Sequence, residues 1–406
     1  MIDVAPPPAG DKTAVRPFPT IRFSDAELAD LRSRVDATRL PEPETVGDYS
    51  QGVPLATVRA VAKYWTNGYD WRACEAKLNA IPQFVTQIDG LDVHFVHVRS
   101  KHENALPIIV THGWPGSFIE QLKIIGPLTD PTAHGAGAAD AFHVVIPSLP
   151  GYGFSGKSEA PGWDPPHIAR AWIELMKRLG YTRYVAQGGD WGNAVTELMA
   201  LQAPPELLGI HTNMPAAVPA DISKAVNSGQ APAGLSAEEA HAFDQLRDFF
   251  GKHIGYAIEM TTRPQTLYGI ADSPVGLAAW MLDHDGASLE LIARVFAGES
   301  AGLTRDDILD NVTMYWLTNT GISSARLYWE NRSAPGFFDV RNVQIPVAVS
   351  AFANEIYQAP RSWAERAYPK LVYYNKHDVG GHFAAWEQTQ LFSQDVRAAF
   401  RPLRGA

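Results

Sequence analysis

The feature that most constrains the fold is a glycine-lined turn at residues 187–193, which reads QGGDWGN. It follows an apolar run at 184–186 and precedes a helix-like segment at 194–201, so the local pattern is strand, turn, helix. Glycines on both sides of Asp190 suit a sharp, strained turn, because side chains there would meet the flanking strand and helix. A carboxylate in that position can attack saturated carbon and form an ester. The turn therefore predicts a nucleophile, although Asp190 as the N-cap of the helix fits the same letters.

This turn is similar to the nucleophile elbow of α/β-hydrolases, usually written G-x-S-x-G, with Asp in place of Ser. The replacement disfavours a serine esterase, since a serine alkoxide is the group that attacks acyl carbonyls. A second apolar strand, at 106–110, leads into 111–117, which reads THGWPGS. In this fold the loop after that strand and the residue after the nucleophile supply the oxyanion-hole amides. The resemblance thus implies that the backbone N–H groups of Trp114 and Trp191 form the oxyanion hole.

The order of the triad in α/β-hydrolases is nucleophile, acid, histidine. His382 follows two glycines on a loop near the C-terminus and opens a helix-like segment, which suits a catalytic base. Glu355 follows the predicted strand at 345–350 and is expected to hold the tautomer of His382 and stabilise its imidazolium. Asp378 and Glu387 are alternatives that lie nearer to the histidine in sequence but require a different loop geometry.

Taken in order along the chain, these motifs resemble microsomal-type epoxide hydrolases of the α/β-hydrolase superfamily. The resemblance implies hydrolysis of a small-molecule epoxide to a vicinal diol through a hydroxyalkyl ester on Asp190. It also covers an N-terminal epoxide-hydrolase segment, so it spans nearly the whole chain. The stretches that carry it are 112–117, 189–192, the region of Glu355 and 381–383, together with 21–23, 30–32, 38–41, 64–65, 69–72, 78–79, 84, 88–91 and 93–100.

The same resemblance implies two tyrosines from a cap domain that hydrogen-bond the epoxide oxygen. The matching positions are Tyr256, in the stretch IGYA, and Tyr328, in SSARLYWEN. Phenols can stabilise the alkoxide that ring opening creates and then donate a proton to it. The alternative is that each tyrosine simply packs, and Tyr268 and Tyr315 lie near them in the sequence.

We expect an α/β-hydrolase fold, with a mostly parallel, doubly wound sheet, a helical cap insertion and an N-terminal helical extension. Ser24 and Glu27 fit a capping box at the start of a helix over 24–35, and hydrophobic strands are expected to begin at about residue 91. The predicted parts are an N-terminal segment draping the core (1–90), the first part of the core (91–215), a helical cap (216–340) and the second part of the core (341–406).

Composition excludes several classes of protein. A formal net charge of −10 without long basic runs argues against a nucleic-acid partner. Cys74 is the single cysteine, so an internal disulfide is excluded and a reducing compartment is the simplest setting. His377, Asp378 and His382 have no second cluster to complete a metal site, and no cofactor is expected. The start of the chain has no signal-peptide pattern and no stretch could span a bilayer, which predicts a cytoplasmic protein without a membrane anchor.

Two other functions stay open. A haloalkane dehalogenase shares the Asp–His chemistry and would use Trp114 and Trp191 as halide donors, whereas Tyr328 and the N-terminal segment favour the epoxide hydrolase. A catalytically silent scaffold is the second alternative, and the complete triad argues against it. Detoxification and aromatic hydrocarbon catabolism are roles that the resemblance suggests, beside signalling-lipid and biosynthetic ones. The aromatic residues that could line an apolar pocket are Trp280, Phe249, Trp316 and Phe352.

Overall fold

The computed structural model describes residues 11–300 and 302–405, without the side chain of Asn227. The signal-peptide prediction concerns residues 1–10 and so lies outside the described residues. Within the described part of the chain, nine strands form one sheet in the order β1-β2-β3-β5-β4-β6-β7-β8-β9. The strands are β1 Arg16–Pro17, β2 Gln83–Ile88, β3 Leu91–Val98, β4 Leu106–Thr111, β5 Phe142–Pro147, β6 Tyr184–Gly188, β7 Leu207–Thr212, β8 Val347–Ala351 and β9 Leu371–Lys376.

The helices fall into an N-terminal group, a group beside the sheet strands and a long run between β7 and β8. The bounds are α1 Asp25–Asp36, α2 Leu55–Asn67, α3 Trp71–Asn79, α4 Ile125–Thr129, α5 Pro165–Arg178, α6 Trp191–Gln202, α7 Ala220–Ser228, α8 Ala237–Asp248, α9 Gly255–Thr262, α10 Tyr268–Asp272, α11 Pro274–Leu282, α12 Gly286–Ala297, α13 Arg305–Leu317, α14 Gly321–Glu330, α15 Arg361–Ala367, α16 Ala384–Glu387 and α17 Thr389–Phe400.

The sheet is mostly parallel, as predicted. Strands from β5 through β4, β6, β7, β8 and β9 pair in parallel, while β1, β2, β3 and β5 pair antiparallel. In the centre, Thr111 at the end of β4 lies opposite Gly188 at the end of β6. Both strands therefore end at the same edge of the sheet, which brings the loop after β4 and the turn after β6 together.

The expectation that strands begin at about residue 91 was wrong, because β1 and β2 precede that point. Strand β2 pairs antiparallel with β3 across a tight turn at Asp89 and Gly90, both of which have positive φ. Asp-Gly is a common turn sequence for such a hairpin, because both residues tolerate this conformation. The predicted boundary at residue 90 consequently cuts through a hairpin, and the N-terminal segment contributes two strands to the core sheet as well as helices.

The N-terminal helices also hold the cap. The capping box predicted at Ser24 and Glu27 is confirmed, at the start of α1. The indole Nε1 of Trp65, on α2, donates to Thr313 Oγ1 at 2.9 Å, and the hydroxyl of Tyr69, just after α2, donates to Asp310 Oδ1 at 2.7 Å. Both acceptors lie on α13. The N-terminal segment therefore joins the edge of the sheet to the cap through buried hydrogen bonds. These bonds restrict the movement of the cap relative to the sheet.

The run of helices α7–α14 is inserted in the chain between the parallel neighbours β7 and β8. Within it, α9 packs against α14, so residues distant in sequence come together above the sheet edge. On the core side, α6 packs against β4, β6 and β7, and α17 packs against β7, β8 and β9. None of the helices in the described ranges is long and apolar enough to cross a membrane.

Candidate active site

Asp190 lies in the turn between β6 and α6 with φ 52° and ψ −128°, a conformation that strains any residue with a side chain. The turn is possible because the backbones pack without intervening Cβ atoms. A Cβ on Gly188 would clash with the carbonyl of Gly192, and a Cβ on Gly192 would clash with the carbonyl of Thr111. In the described structure the Asp190 side chain makes no capping hydrogen bond to α6. Capping is therefore not what the carboxylate does.

The carboxylate of Asp190 instead faces the loop after β4. The backbone N–H of Trp114 donates to Asp190 Oδ1 at 2.8 Å. The approach needs Gly113, because a Cβ at that position would overlap the Asp190 side chain. Trp191 is the first residue of α6, so its amide belongs to the positive N-terminal end of that helix. Of the two amides named from the sequence, that of Trp114 hydrogen-bonds the Asp190 carboxylate, and that of Trp191 begins the helix that follows Asp190.

His382 and Glu355 form a buried pair beside Asp190. His382 Nδ1 and Glu355 Oε1 are 2.7 Å apart, and the amide of Ile356 donates to the same oxygen at 2.8 Å. Asn213 Nδ2 donates to Glu355 Oε2 at 3.3 Å. A carboxylate held in this way fixes the imidazole so that Nε2 faces away from it.

The two alternative acids have other positions and partners than Glu355. Glu387 accepts hydrogen bonds from the amides of Gly381 and Phe383, both at 3.0 Å, and so holds the loop that carries His382. Asp378 is exposed. His377 Nε2 pairs with Asp395 Oδ2 at 2.6 Å.

The charge around His382 favours its protonated form. Burial lowers the pKa of this imidazole, but the nearby carboxylates of Glu355, Asp190 and Asp285 outweigh burial and raise the pKa to about 10. The surrounding carboxylates therefore favour the imidazolium form of His382 in the resting site, and an imidazolium must lose a proton before it can act as a base.

Two buried phenols cover Asp190 from the cap. The ring of Tyr256, on α9, stacks on Trp114 with centroids 4.8 Å apart, and the ring of Tyr328, on α14, meets Trp191 edge-on at 4.8 Å. The two tyrosine rings are 6.0 Å apart. Burial raises the pKa of both phenols well above the usual value, so both remain neutral donors. Tyr268 is 68% exposed and the Tyr315 hydroxyl donates to the carbonyl of Gly116, so neither of these two is an equivalent donor.

Two cavities adjoin Asp190. The one toward the cap has a volume of about 220 Å³ and is lined by Trp191, Phe249, Tyr256, Tyr328 and other mostly apolar residues. The one toward the core has a volume of about 20 Å³, enough for about one water molecule. A wider surface depression of about 840 Å³ lies between residues 157–163 and the cap and does not include Asp190. Of the four aromatic residues named from the sequence, Phe249 lines the apolar cavity.

Comparison with known proteins assigns this chain to a family. Residues 15–121 match the family described as Epoxide hydrolase N terminus, and residues 107–238 match the alpha/beta hydrolase fold. The chain is 50% identical to a putative epoxide hydrolase of Stigmatella aurantiaca, over 96% of this chain and 86% of that protein. It is 34% identical to epoxide hydrolase 1 of Sus scrofa, over 96% of this chain and 89% of that protein. This chain belongs to the epoxide hydrolase family.

Solved structures agree with that assignment. The enzyme superposes on the crystal structure of the juvenile hormone epoxide hydrolase of the silkworm Bombyx mori with a TM-score of 0.85, at 31% identity, covering 97% of this chain and 95% of the other. The epoxide hydrolase of Aspergillus niger gives a TM-score of 0.79 at 30% identity, with 97% and 98% of the two chains covered. The similarity therefore includes the N-terminal segment and the cap as well as the sheet.

Three buried polar residues of the enzyme lie at the site but were missed by the sequence analysis. His284 and Asp285 occupy the turn between α11 and α12, and Glu120 lies in the 3₁₀ turn Phe118–Ile124 after β4. Atoms of Asp190, His284 and His382 that could ligate a cation lie within 4.8 Å of one another. The signal that could have found Glu120 is a carboxylate within a short, otherwise mainly apolar segment. Nothing local marks His284, because long-range packing brings it to the site.

Proposed function

We propose that the enzyme converts an epoxide and water to a vicinal diol through a covalent hydroxyalkyl ester on Asp190. Membership of the epoxide hydrolase family supports the reaction itself. The observation that carries the mechanism is the position of Asp190, with one carboxylate oxygen on the Trp114 amide and two buried neutral phenols opposite. A carboxylate, a proton donor and an apolar cavity are what opening an epoxide requires.

In the first step the carboxylate of Asp190 attacks one of the two epoxide carbons, either the less hindered one or the more electrophilic one. Because Oδ1 accepts from Trp114, we assign the attack to Oδ2, which leaves Oδ1 as the carbonyl oxygen of the ester. The carbon–oxygen bond of the epoxide breaks as the ester bond forms. Tyr256 and Tyr328 hold the departing oxygen, and one of the two phenols gives it a proton.

In the second step His382, held by Glu355, removes a proton from a water that attacks the ester carbonyl. The oxyanion of the tetrahedral intermediate lies on Oδ1 and is stabilised by the amides of Trp114 and Trp191. Collapse of the intermediate releases the diol and restores the Asp190 carboxylate. Since water attacks the ester and not the epoxide carbon, one oxygen of the diol comes from Asp190.

The attacking water has a place in the 20 Å³ cavity. Residues that line it include Gly113, Glu120, Asp190 and His382. The Oε2 atom of Glu120 is buried and has no hydrogen-bond partner among the described residues. We therefore assign Glu120 as the second partner of the attacking water, beside His382. A water held by two groups is ordered before reaction, which lowers the entropic cost of attack.

A single turnover in oxygen-18 water tests this mechanism. Excess enzyme is mixed with styrene oxide, and mass spectrometry measures the label in the diol and in the peptide that contains Asp190. We expect an unlabelled diol in the first turnover and label in the Asp190 carboxylate. The Asp190→Ala variant is the matched control and should give neither diol nor labelled peptide. A diol labelled in the first turnover would mean direct attack by water and would overturn the ester.

One observation favours a second function. The indole Nε1 of Trp191 is buried and makes no hydrogen bond within the described structure, as would suit a halide donor. A dehalogenase would release bromide from a short bromoalkane, whereas the phenols of Tyr256 and Tyr328 favour an oxygen leaving group. Bromide release at a rate comparable to diol formation would support the second function, and its absence beside diol formation would remove it.

The substrate we propose is an apolar epoxide that fits the cavity of about 220 Å³ beneath the cap. Detoxification, or a step in aromatic hydrocarbon catabolism, is consistent with such a substrate. We also propose a cytoplasmic location, since the single cysteine, Cys74, is a buried free thiol, which suits a reducing compartment. Diol formation from a panel of aromatic and aliphatic epoxides, compared by kcat/KM, tests the substrate class.

A further inference from the structure

His284 connects the two halves of the site. It is buried, lies on the cap between α11 and α12, and packs against the core residue His382 with ring centroids 4.2 Å apart. The ring of Tyr256 is also close, with its centroid 5.1 Å from that of His284. The imidazole of His284 therefore neighbours both the base of the second step and one of the phenols of the first step.

Asp285 orients this imidazole. His284 Nδ1 and Asp285 Oδ2 are 2.9 Å apart, and the amide of Ser288 donates to Asp285 Oδ1 at 2.8 Å. Burial raises the pKa of Asp285, but the hydrogen bond from His284, the charge of the nearby His382 and the hydrogen bond from Ser288 outweigh burial and hold this pKa well below its usual range. A carboxylate on Nδ1 keeps the hydrogen on that nitrogen, so the lone pair lies on Nε2. This Nε2 atom is buried and unpaired within the described part of the chain.

After ring opening in the proposed mechanism, His382 carries a proton that the tyrosine phenolate needs. His382 begins as an imidazolium, because Glu355 Oε1 lies 2.7 Å from its Nδ1 and the carboxylates of Asp190 and Asp285 are also near, which together raise its pKa. Ring opening then leaves a phenolate on a tyrosine, since that phenol has given its proton to the alkoxide. Before hydrolysis, His382 must lose a proton and the phenolate must gain one. A ligand atom of His284 lies within 4.8 Å of His382, a gap that one bridging water with two hydrogen bonds of about 2.8 Å can span.

We propose that His284, oriented by Asp285, transfers a proton from His382 to the phenolate of Tyr256 between ester formation and ester hydrolysis. The proposal rests on the ester mechanism above. Through the bridging water, His284 Nε2 takes the proton from His382 Nε2. It passes this proton to the Tyr256 oxygen, so Tyr256 is again a phenol and His382 a neutral base. His382 then takes a proton from water, and hydroxide adds to the ester carbonyl. When this intermediate collapses, the leaving alkoxide takes the hydroxyl proton of the intermediate, and the released Asp190 carboxylate faces an imidazolium as at the start. Epoxide and water are consumed, and one diol is formed.

The test separates the two chemical steps. His284→Phe keeps a ring between Tyr256 and His382 but removes the nitrogen that carries the proton. In a rapid-quench single turnover with styrene oxide, intact-protein mass spectrometry follows the ester on Asp190. We expect ester formation within about twofold of the wild-type rate and ester decay slowed about tenfold or more, since proton transfer by a positioned group contributes at least this much. In the steady state kcat and KM should fall together, because the ester accumulates.

Two further variants separate a relay from a structural role. His241, on α8, is an exposed histidine of the cap, and His241→Phe should leave both rates unchanged. His284→Gly opens space for added imidazole, which should restore ester decay in this variant and have no effect on the wild type. A circular dichroism spectrum equal to the wild-type one shows that each variant is folded.

The outcomes are distinct. Ester decay at the wild-type rate in His284→Phe would overturn the relay. Equal slowing of both steps, without rescue by imidazole in His284→Gly, would also overturn it and leave His284 a structural role. If the wild-type enzyme itself forms neither ester nor diol from any epoxide, the proposed mechanism fails before the relay is tested.

Discussion

The carboxylate of Glu120 occupies the space that a side chain at Gly116 would fill. A Cβ on Gly116 would overlap Glu120 Oε2, while Glu120 Oε1 accepts a hydrogen bond from Gln121 Nε2 at 2.9 Å. Burial raises the pKa of Glu120 to about 8, partly offset by the charge of His382. The absence of a side chain at 116 is thus what allows a buried acid to reach the cavity beside Asp190.

This relationship predicts the effect of Glu120→Gln. The amide keeps the shape of the carboxyl but changes how it binds the attacking water, so ester decay should slow about tenfold while ester formation changes little. Rapid-quench single turnovers measure both rates. Glu365→Gln, an exposed residue of a surface ion pair, is the control and should match the wild type. Unchanged decay in Glu120→Gln would mean that the water is held elsewhere.

The tyrosine pair predicts a loss in the other step. Tyr256→Phe and Tyr328→Phe each remove one hydrogen-bond donor to the epoxide oxygen and leave the ring packing. Each should slow ester formation about 100-fold, the scale of losing one oxyanion donor, and the double variant should form no measurable ester. Stopped-flow fluorescence of the neighbouring tryptophans measures that rate. Tyr268→Phe, at an exposed position, should behave as wild type. A single variant with an unchanged rate would exclude that phenol from the step.

Local motifs account for the part of the site that the sequence could predict. The turn around Asp190 is specified by its own glycines, and the place of His382 and Glu355 follows from the order of strands β8 and β9. The choice of Glu355 over Glu387 rests on the same order, because an acid that follows β8 lies beside the loop after β9. Such information is contained in short segments and in their sequence order.

The parts that sequence analysis missed depend on long-range packing. Strand β2, QFVTQI, is short and half polar, and its pairing with β3 is what makes it a strand. His284 reaches the site only because the cap folds over the core, and Glu120 only because Gly116 leaves space. No periodicity or spacing encodes these contacts, since each depends on where a distant element packs.

The raised pKa of His382 predicts how stability depends on pH. The folded state holds this proton up to about pH 10, whereas an unfolded histidine loses it near pH 6.5. The contribution is therefore complete below pH 6.5 and is lost as pH rises toward 10. We expect the free energy of unfolding to fall as pH rises over this range. The His382→Gln variant should show a smaller fall, by a few kcal/mol, because each unit of pKa shift corresponds to about 1.4 kcal/mol.

Urea unfolding at pH 6.5, 8 and 9.5 measures this pH dependence, with the exposed His241→Gln variant as control. A wild-type slope retained in His382→Gln would contradict the assignment.

A buried ion pair on α6, the helix that follows Asp190, predicts a large loss of stability when it is broken. Glu197, on α6, has its side chain fully buried, and its Oε2 accepts from Arg341 Nη1 at 2.6 Å. Arg341→Gln leaves this carboxylate without its cation, which should cost about 3 kcal/mol in the free energy of unfolding. Arg361→Gln breaks an exposed pair with Glu365 and should cost less than about 0.5 kcal/mol.

The double variant Glu197→Gln, Arg341→Gln completes this test. With the buried charge also removed, much of the loss should be recovered, because the cost in the single variant comes from the unpaired carboxylate and not from the missing attraction alone. Urea unfolding of the wild type, both single variants and the double variant gives the coupling free energy. Additive losses of stability would mean that Glu197 and Arg341 do not act as a unit.

The single Arg341→Gln variant should also lower kcat. Since α6 begins at Trp191, displacement of this helix would displace the turn that holds Asp190.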